Sequence, residues 1–216
     1  MTKEMSPLIP RLAQLYSAVV SDCLDQLGCR DQAMEPSIRP LYPEAKIAGI
    51  VATVLAHEVY SVPAEPYVRE LEAVDRLQAG EVMVVSRVDG CYFGELLATA
   101  SRARGCRGVI LDGWTRDCQR ISQMRFPMFV RGISPLDSLG RMDVAALQVP
   151  IVCGGVVVRP GDLVLADFDG VVVIPPQIAE EAIARAEDKV RREDTVRELL
   201  ERGESVVEVF RKYGTI

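Results

Sequence analysis

Hydrophobic positions along the chain follow two rhythms, a helical one at both ends and a shorter, strand-like one between. Leu8, Leu12, Leu15 and Tyr16 recur at helical spacing. The run from Asp22 to Leu27, with Ser21 as its cap and Gly28 as its stop, predicts a second helix, so residues 7–28 are read as two helices. Prolines and turn formers between Pro36 and Pro43 mark a loop. The apolar stretch that follows, centred on Ile47 to Ala56, has no helical period and is too short to span a bilayer; it predicts a buried strand pair or hairpin. After Pro66, the positions Val68, Leu71, Val74 and Leu77 predict an amphipathic helix closed near Gly80.

The middle of the chain alternates. Val82–Val85 reads as a strand, and a helix opens near Glu95 and closes at Gly105 after Arg102 and Arg104 have placed positive charge at its C-terminal end. Gly108–Leu111 reads as a short buried strand, with Asp112-Gly113 as the turn that stops it. A short helix from Cys118 to Met124 and a strand from Phe126 to Val130 complete an α/β pattern with at least one βαβ unit. Four Val-rich runs follow: Val144–Cys153, Gly155–Val158, Asp162–Ala166 and Val171–Ile174. Asp167 and Asp169 flank Phe168 like a small carboxylate cluster, but Asp169-Gly170 is a common hairpin turn and is read as one. The helical rhythm returns in Ala179, Ala182, Ile183, Ala186 and Val190, on a helix running toward Arg202 with Gly203 as its stop. Ser205-Val206-Val207-Glu208 matches a capping box for a last helix, so residues 176–213 are read as helical. With no internal repeat, residues 1–216 are expected to form a single domain.

Composition adds exclusions. A 49% hydrophobic content fills a sizeable core, and a net charge of −6 with a pI near 5.0 argues against a nucleic-acid surface. No apolar run is long enough to suggest a membrane partner. Six cysteines lie scattered with no Cys-x-x-Cys pair, and no leader pattern stands at the start, so a reduced, cytoplasmic protein is expected.

The candidate chemistry sits around the central helix. Gly94 lacks a Cβ, so a ligand can approach the backbone closely, and the helix opening at Glu95 leaves its first amides aimed outward, where a carboxylate or phosphate binds. Twenty residues, Leu96 to Thr115, separate Glu95 from Arg116-Asp117. One helix and one returning strand fill that length and bring both ends to the same edge of a sheet. Taken alone, Arg-Asp after a strand is usually a surface turn with a weak ion pair, and Gly-Glu-Leu-Leu is any helix start. His57, the single histidine, is placed outside the site, because one histidine cannot form a multi-histidine metal centre. Asp22 has a helix-dipole reason to sit in a first turn.

The segment Gly94 to Asp117 resembles the class II pyruvate aldolases of the 4-hydroxy-4-methyl-2-oxoglutarate (4-carboxy-4-hydroxy-2-oxoadipate) type, which share a fold with the regulator of ribonuclease activity A, RraA. That family carries an acidic residue, twenty intervening residues and then Arg-Asp; here the acid is Glu95 where Asp is usual, and Trp114 stands in a turn that usually holds small or aliphatic residues. Ser21–Gly28, Gly80–Val85, Met128–Pro135 and Gly154–Pro175 resemble further family blocks in the same order.

The resemblance implies a layered α/β/β swivelling-type (RraA-like) domain with terminal helices. It also implies an aldolase that cleaves a 4-hydroxy-2-oxo acid to pyruvate and decarboxylates oxaloacetate on the side. Carried over by position, Asp117 anchors Mg²⁺ (or Mn²⁺), and Arg116 donates to the C2 oxygen as the enolate forms. Gly94 and the amides of Leu96 and Leu97 hold the pyruvate carboxylate, and Glu95 works through a water on the C4 hydroxyl. Glu193 is the candidate for a second metal-side carboxylate from a neighbouring subunit of a trimer or hexamer. A second substrate carboxylate wants an arginine, for which Arg102, Arg120, Arg131 and Arg141 are not ranked. The alternative is a non-catalytic regulator of the ribonuclease-inhibitor type, acting through its surface. Methyl transfer is set aside, because no Gly-x-Gly-x-x-Gly follows a strand.

Overall fold

The computed structural model describes residues 7–214. Helices α1 (Leu8–Leu12) and α2 (Ser17–Gln26) lead to the short β1 (Arg39–Pro40) and the long β2 (Ile47–Glu58). The central part runs α3 (Val68–Asp75), β3 (Glu81–Val85), β4 (Cys91–Phe93), α4 (Glu95–Ala103), β5 (Gly108–Thr115), α5 (Cys118–Gln123) and β6 (Met128–Ile133). Strands β7 (Met142–Leu147), β8 (Ile151–Cys153), β9 (Val156–Val158), β10 (Leu163–Asp167) and β11 (Gly170–Ile174) precede α6 (Ala179–Glu201) and α7 (Val206–Tyr213).

The main sheet has the order β1-β6-β5-β3-β2-β10-β11, with β4 also paired to β5 and β7 to β2. Its centre, β2-β3-β5-β6, is parallel, and the pairings at β1, β7, β10 and β11 are antiparallel. Strands buried on both faces read as unbroken apolar runs, which is why Val82–Val85 and Val109–Leu111 show no polar alternation. Successive side chains still point opposite ways. Met83, Val85, Val109 and Leu111 face Val74 of α3, Ala98 of α4 and Ile121 of α5. Val82, Val84, Ile110 and Phe129 face the β8–β9 hairpin. Helices α1, α2 and α6 cover the far end of the sheet over Ile50, Leu163, Leu165 and Val172. The result is helix, sheet and hairpin in layers, a mixed α/β fold of the α/β/β kind. No helix among the described residues is long and apolar enough to cross a membrane.

Several local expectations are corrected. Ile47–Ala56 is one strand and not a hairpin: Gly49 makes no turn but gives room, since a Cβ there would lie 2.6 Å from Val82 Cγ2 and 2.8 Å from the Gly80 carbonyl. Asp112-Gly113 does not stop β5, which runs on to Thr115 through a register shift because Asp112 finds buried partners. Ser21 caps nothing. Helix α2 starts at Ser17, whose amide and hydroxyl both donate to the Asp167 carboxylate at 2.7 and 2.6 Å. Asp22 therefore sits in mid-helix, paired with Lys189 and not with the dipole. Asp167–Gly170 is the expected hairpin end, with Asp167 serving α2 as well. Ser205 precedes α7 but makes no side-chain capping bond. Strand β4 was not anticipated; three residues between Gly90 and Gly94 are too few to show a period.

Candidate active site

Strands β4 and β5 run parallel, with Cys91 opposite Trp114 and Phe93 opposite Thr115. Gly94-Glu95 and Arg116-Asp117 therefore leave neighbouring strands at the same carboxyl edge, where open α/β sheets place their ligands. Two bonds to one carbonyl fix the junction: the Arg116 amide and the Thr115 hydroxyl both donate to Phe93 O, at 3.0 and 2.7 Å. Asp117 then takes a left-handed conformation, φ 57°, which Asp tolerates better than most residues. That turn aims its carboxylate at the start of α4, where Oδ2 accepts the Glu95 amide at 3.2 Å. The first helical bond of α4 runs from the Ala98 amide to Gly94 O, so the amides of Leu96 and Leu97 have no helical acceptor and point out of the helix end. Gly94 matters for space and not for backbone freedom. Its φ of −134° suits any residue, but a Cβ would come within 2.9 Å of Asp117 Oδ2 and 3.2 Å of Arg116 Nε.

The Arg116 guanidinium lies among oxygens. Its Nη1 stands 3.1 Å from Asp137 Oδ1 and donates to Leu136 O at 3.4 Å, and its Nε is 3.8 Å from Asp117 Oδ2. Asp137 is held in turn by the Tyr67 hydroxyl, which donates to Oδ2 at 2.6 Å. That bond, with Arg116 beside it, keeps the Asp137 carboxyl below the usual carboxylate range. Glu95 accepts the Thr99 hydroxyl at 3.0 Å one turn further along α4.

Glu95, Arg116, Asp117, Asp137 and Tyr67 line one cavity of about 260 Å³ between α3 and α4. It brings together Gly94, Glu95, Leu96, Leu97, Arg116 and Asp117, as the sequence nominated, whereas Arg102, Arg120, Arg131 and Arg141, the candidates for a second substrate carboxylate, do not line it. Glu193 lies elsewhere in the chain, in a cleft with Tyr16 and Asp22. There it accepts the Tyr16 hydroxyl and stands 3.7 Å from Lys189 Nζ. Burial, then the bond to Glu193, pushes the Tyr16 phenol up to about 12.

Sequence reasoning missed Tyr67, Glu70, Tyr92, Asp137 and Ser138, which also line the cavity. Glu70 is buried and accepts the Ser138 hydroxyl at 3.1 Å; burial, only partly opposed by that bond, pushes its carboxyl up to about 7. One signal was available. Glu70 stands four residues before Val74 and seven before Leu77, a carboxylate on the stripe that α3 buries, whereas Val68 and Leu71 are exposed. The Tyr92 hydroxyl is buried with no hydrogen-bond partner among the described residues.

Among the described residues no group of three or more His, Cys, Asp or Glu is arranged to hold a metal ion unaided. The donors that do line the cavity suit a hard cation that keeps part of its water shell. They are carboxylates, and the thiol present, Cys91, is pushed up to about 11 by burial and so stays protonated. Asp117, the carboxylate that the sequence nominated for such an ion, lines the cavity half-exposed, with its Arg116 contact long at 3.8 Å.

The fold that carries this cavity has known relatives. The family model described as "RraA-like: Aldolase/RraA" matches residues 17–173. A protein of Halalkalibacterium halodurans named "Putative 4-hydroxy-4-methyl-2-oxoglutarate aldolase" is 29% identical over 193 residues, spanning 88% of this chain and 86% of that protein. Among solved structures, an uncharacterized protein from Pseudomonas syringae pv. tomato superposes with a TM-score of 0.86 at 29% identity, covering 96% of this chain and 94% of that one. Streptomyces coelicolor RraAS2, described as an unusual member of the RNase ES inhibitor RraA protein family, superposes with a TM-score of 0.78 at 29% identity, covering 89% and 96%. The chain belongs to the RraA-like, Aldolase/RraA family.

Proposed function

We propose that the protein is a divalent-metal-dependent aldolase that cleaves a 4-hydroxy-2-oxo acid of the 4-hydroxy-4-methyl-2-oxoglutarate type to pyruvate and a second carbonyl compound, and decarboxylates oxaloacetate on the side. The observation that carries this reading is the convergence of the Arg116 guanidinium, the Asp117 carboxylate and the open amides of Leu96 and Leu97 on one cavity. The two amides bind the carboxylate next to the 2-oxo group. Arg116, charged at any working pH and oriented by Asp137, meets the C2 oxygen. As the C3–C4 bond breaks, its electron pair moves toward that oxygen, and a positioned donor is worth most where charge develops. Glu95 orients a water that takes the proton from the C4 hydroxyl, so C4 leaves as a carbonyl, and protonation at C3 completes pyruvate. Mg²⁺ or Mn²⁺ held at Asp117 would supply further positive charge for the same oxygen. In a trimer or hexamer, Glu193 of a neighbouring copy is the proposed additional carboxylate; reaching another site would require it to release Tyr16.

The metal requirement is open to direct test. Pyruvate release from oxaloacetate and from 4-hydroxy-4-methyl-2-oxoglutarate is expected to fall to the uncatalysed rate in excess chelator and to return on adding Mg²⁺. Full activity in chelator would overturn the metal-dependent reading. Absence of turnover with any divalent ion would overturn the aldolase reading and leave regulation by partner binding, as the name of the Streptomyces relative describes for its family.

A further inference from the structure

Resting on the aldolase reading, we infer that Glu70 is a further catalytic residue, the acid that delivers the proton to C3 of the enolate and so completes pyruvate. Glu70 lines the cavity from α3, while the amides that bind the pyruvate carboxylate in the proposed reaction lie on α4. Its Oε2 accepts the Ser138 hydroxyl at 3.1 Å, and Ser138 directly follows Asp137, whose Oδ1 stands 3.1 Å from Arg116 Nη1. Arg116, Asp137, Ser138 and Glu70 thus form one continuous stretch of cavity wall. Arg116 meets the oxygen on C2, and C3 is the next carbon along the substrate, so the acid needed at C3 belongs on this stretch. The second Glu70 oxygen faces the space. Oε1 accepts no hydrogen bond among the described residues, yet the sealed side-chain oxygens left without a partner there are the hydroxyls of Tyr92 and Ser101. Oε1 therefore opens onto the cavity that Glu70 lines, where it presents a proton to a bound molecule.

The surroundings keep that proton in place. The charged and titratable groups facing Glu70 are Asp143 in β7, Asp137 in the loop before it, the Tyr92 phenol in β4 and, with opposite sign, Arg116 past β5. Burial, joined by the two carboxylates, outweighs the Ser138 bond and the guanidinium and pushes the Glu70 carboxyl up to about 7. A general acid works best with a pKa near the working pH. Asp137, held below the usual carboxylate range by the Tyr67 hydroxyl and Arg116, has no proton to give.

Cleavage of the C3–C4 bond leaves its electron pair in the enolate, shared between C3 and the oxygen on C2. As the C2 carbonyl re-forms, that pair bonds C3 to the Glu70 proton. The carboxyl O–H bond breaks, its electrons stay on the Glu70 carboxylate, and Glu70 regains a proton from solvent once pyruvate leaves. Decarboxylation of oxaloacetate gives the same enolate and uses the same acid.

The test follows the hydrogen that arrives at C3, with Mg²⁺ present throughout. Run in reverse, the step removes a C3 proton, so the parent chain is expected to exchange the methyl hydrogens of pyruvate for deuterium in D₂O. Glu70→Gln, isosteric but no acid, is expected to exchange them about a hundredfold more slowly, while CO₂ release from oxaloacetate, which precedes the step, falls far less. Oxaloacetate carrying tritium stereospecifically at C3 should give, in D₂O, a pyruvate methyl of one handedness from the parent. Glu70→Gln should give both hands, because solvent then protonates the released enol. Methyl groups of both hands from the parent overturn the inference without any variant. Single handedness with near-parent exchange in Glu70→Gln overturns it too, as does an equal loss of exchange and CO₂ release, which would leave Glu70 a structural role; in these cases the aldolase stands. A parent that neither exchanges pyruvate nor turns over oxaloacetate overturns the aldolase reading and this inference with it.

Discussion

Strand β5 contributes to two arginine–aspartate pairs, and the chain uses them in opposite ways. Asp112, inside the strand, is 1% exposed and saturated: Oδ1 accepts Arg131 Nε at 2.7 Å, and Oδ2 accepts the Gly154 amide at 2.7 Å. Asp117, just past the strand's end, has its side chain 46% exposed, one bond to the Glu95 amide and a 3.8 Å contact with Arg116. The first pair ties β5 to β6 and to the turn between β8 and β9. The second leaves oxygen and guanidinium capacity facing a cavity. Both would read as Asp beside Arg, but a group able to act on a ligand is one whose partners in the folded chain are incomplete.

That contrast can be broken by measurement. Asp112→Ala leaves the buried Gly154 amide without its acceptor and the largely buried Arg131 with only the exposed Glu35, and should lower unfolding stability by about 3–5 kcal/mol, read from denaturant midpoints. A loss below about 1 kcal/mol would place Asp112 in the same class as Asp117, since exposed pairs contribute about 0–1 kcal/mol.

Glu70 gives the next effect. Its folded carboxyl titrates at about 7 against an ordinary 4.5, so between those values the folded chain holds a proton that the unfolded chain has lost. Stability should therefore fall as pH rises from about 4.5 to about 7 and level off above, by on the order of 3 kcal/mol. Glu70→Gln should flatten that fall; a slope unchanged by the substitution would remove Glu70 as its source. Gly94→Ala tests the crowding at the open pair. Its Cβ presses on Asp117 Oδ2 and on Nε and Cγ of Arg116, both half-exposed side chains able to swing away, so stability should hold, while the displaced Arg116 and Asp117 should lower kcat/KM about tenfold. Unchanged kinetics would show that the close approach at Gly94 is idle.

Much of this was legible in the sequence, for a physical reason. The spacing from Glu95 to Arg116 reports a helix and a returning strand, and parallel pairing of β4 with β5 makes those two positions neighbours. Local signals likewise located α3, α4, β3 and the C-terminal helices, through helical spacing, end residues and an unbroken apolar run, whereas α2 begins five residues before its expected start. What was not legible depends on contacts distant in sequence. Asp112-Gly113 looked like a turn because its partners, Arg131 and Gly154, lie on other strands. Ser17 starts α2 by binding Asp167, 150 residues away. Asp137 and Tyr67 orient Arg116 from a loop and a helix start that no local pattern links to it. The helix start and the Arg116-Asp117 turn were readable, and strand β4 and the residues that hold the site were not.

The most direct test of the account measures catalysis and stability together in Asp117→Ala and Arg116→Ala, using pyruvate release with saturating Mg²⁺ and thermal unfolding of the same samples. The account predicts a fall in kcat/KM of about a hundredfold or more, with a melting temperature close to that of the parent chain. Turnover within a few-fold of the parent, or a loss of activity that only follows a loss of folding, would contradict it.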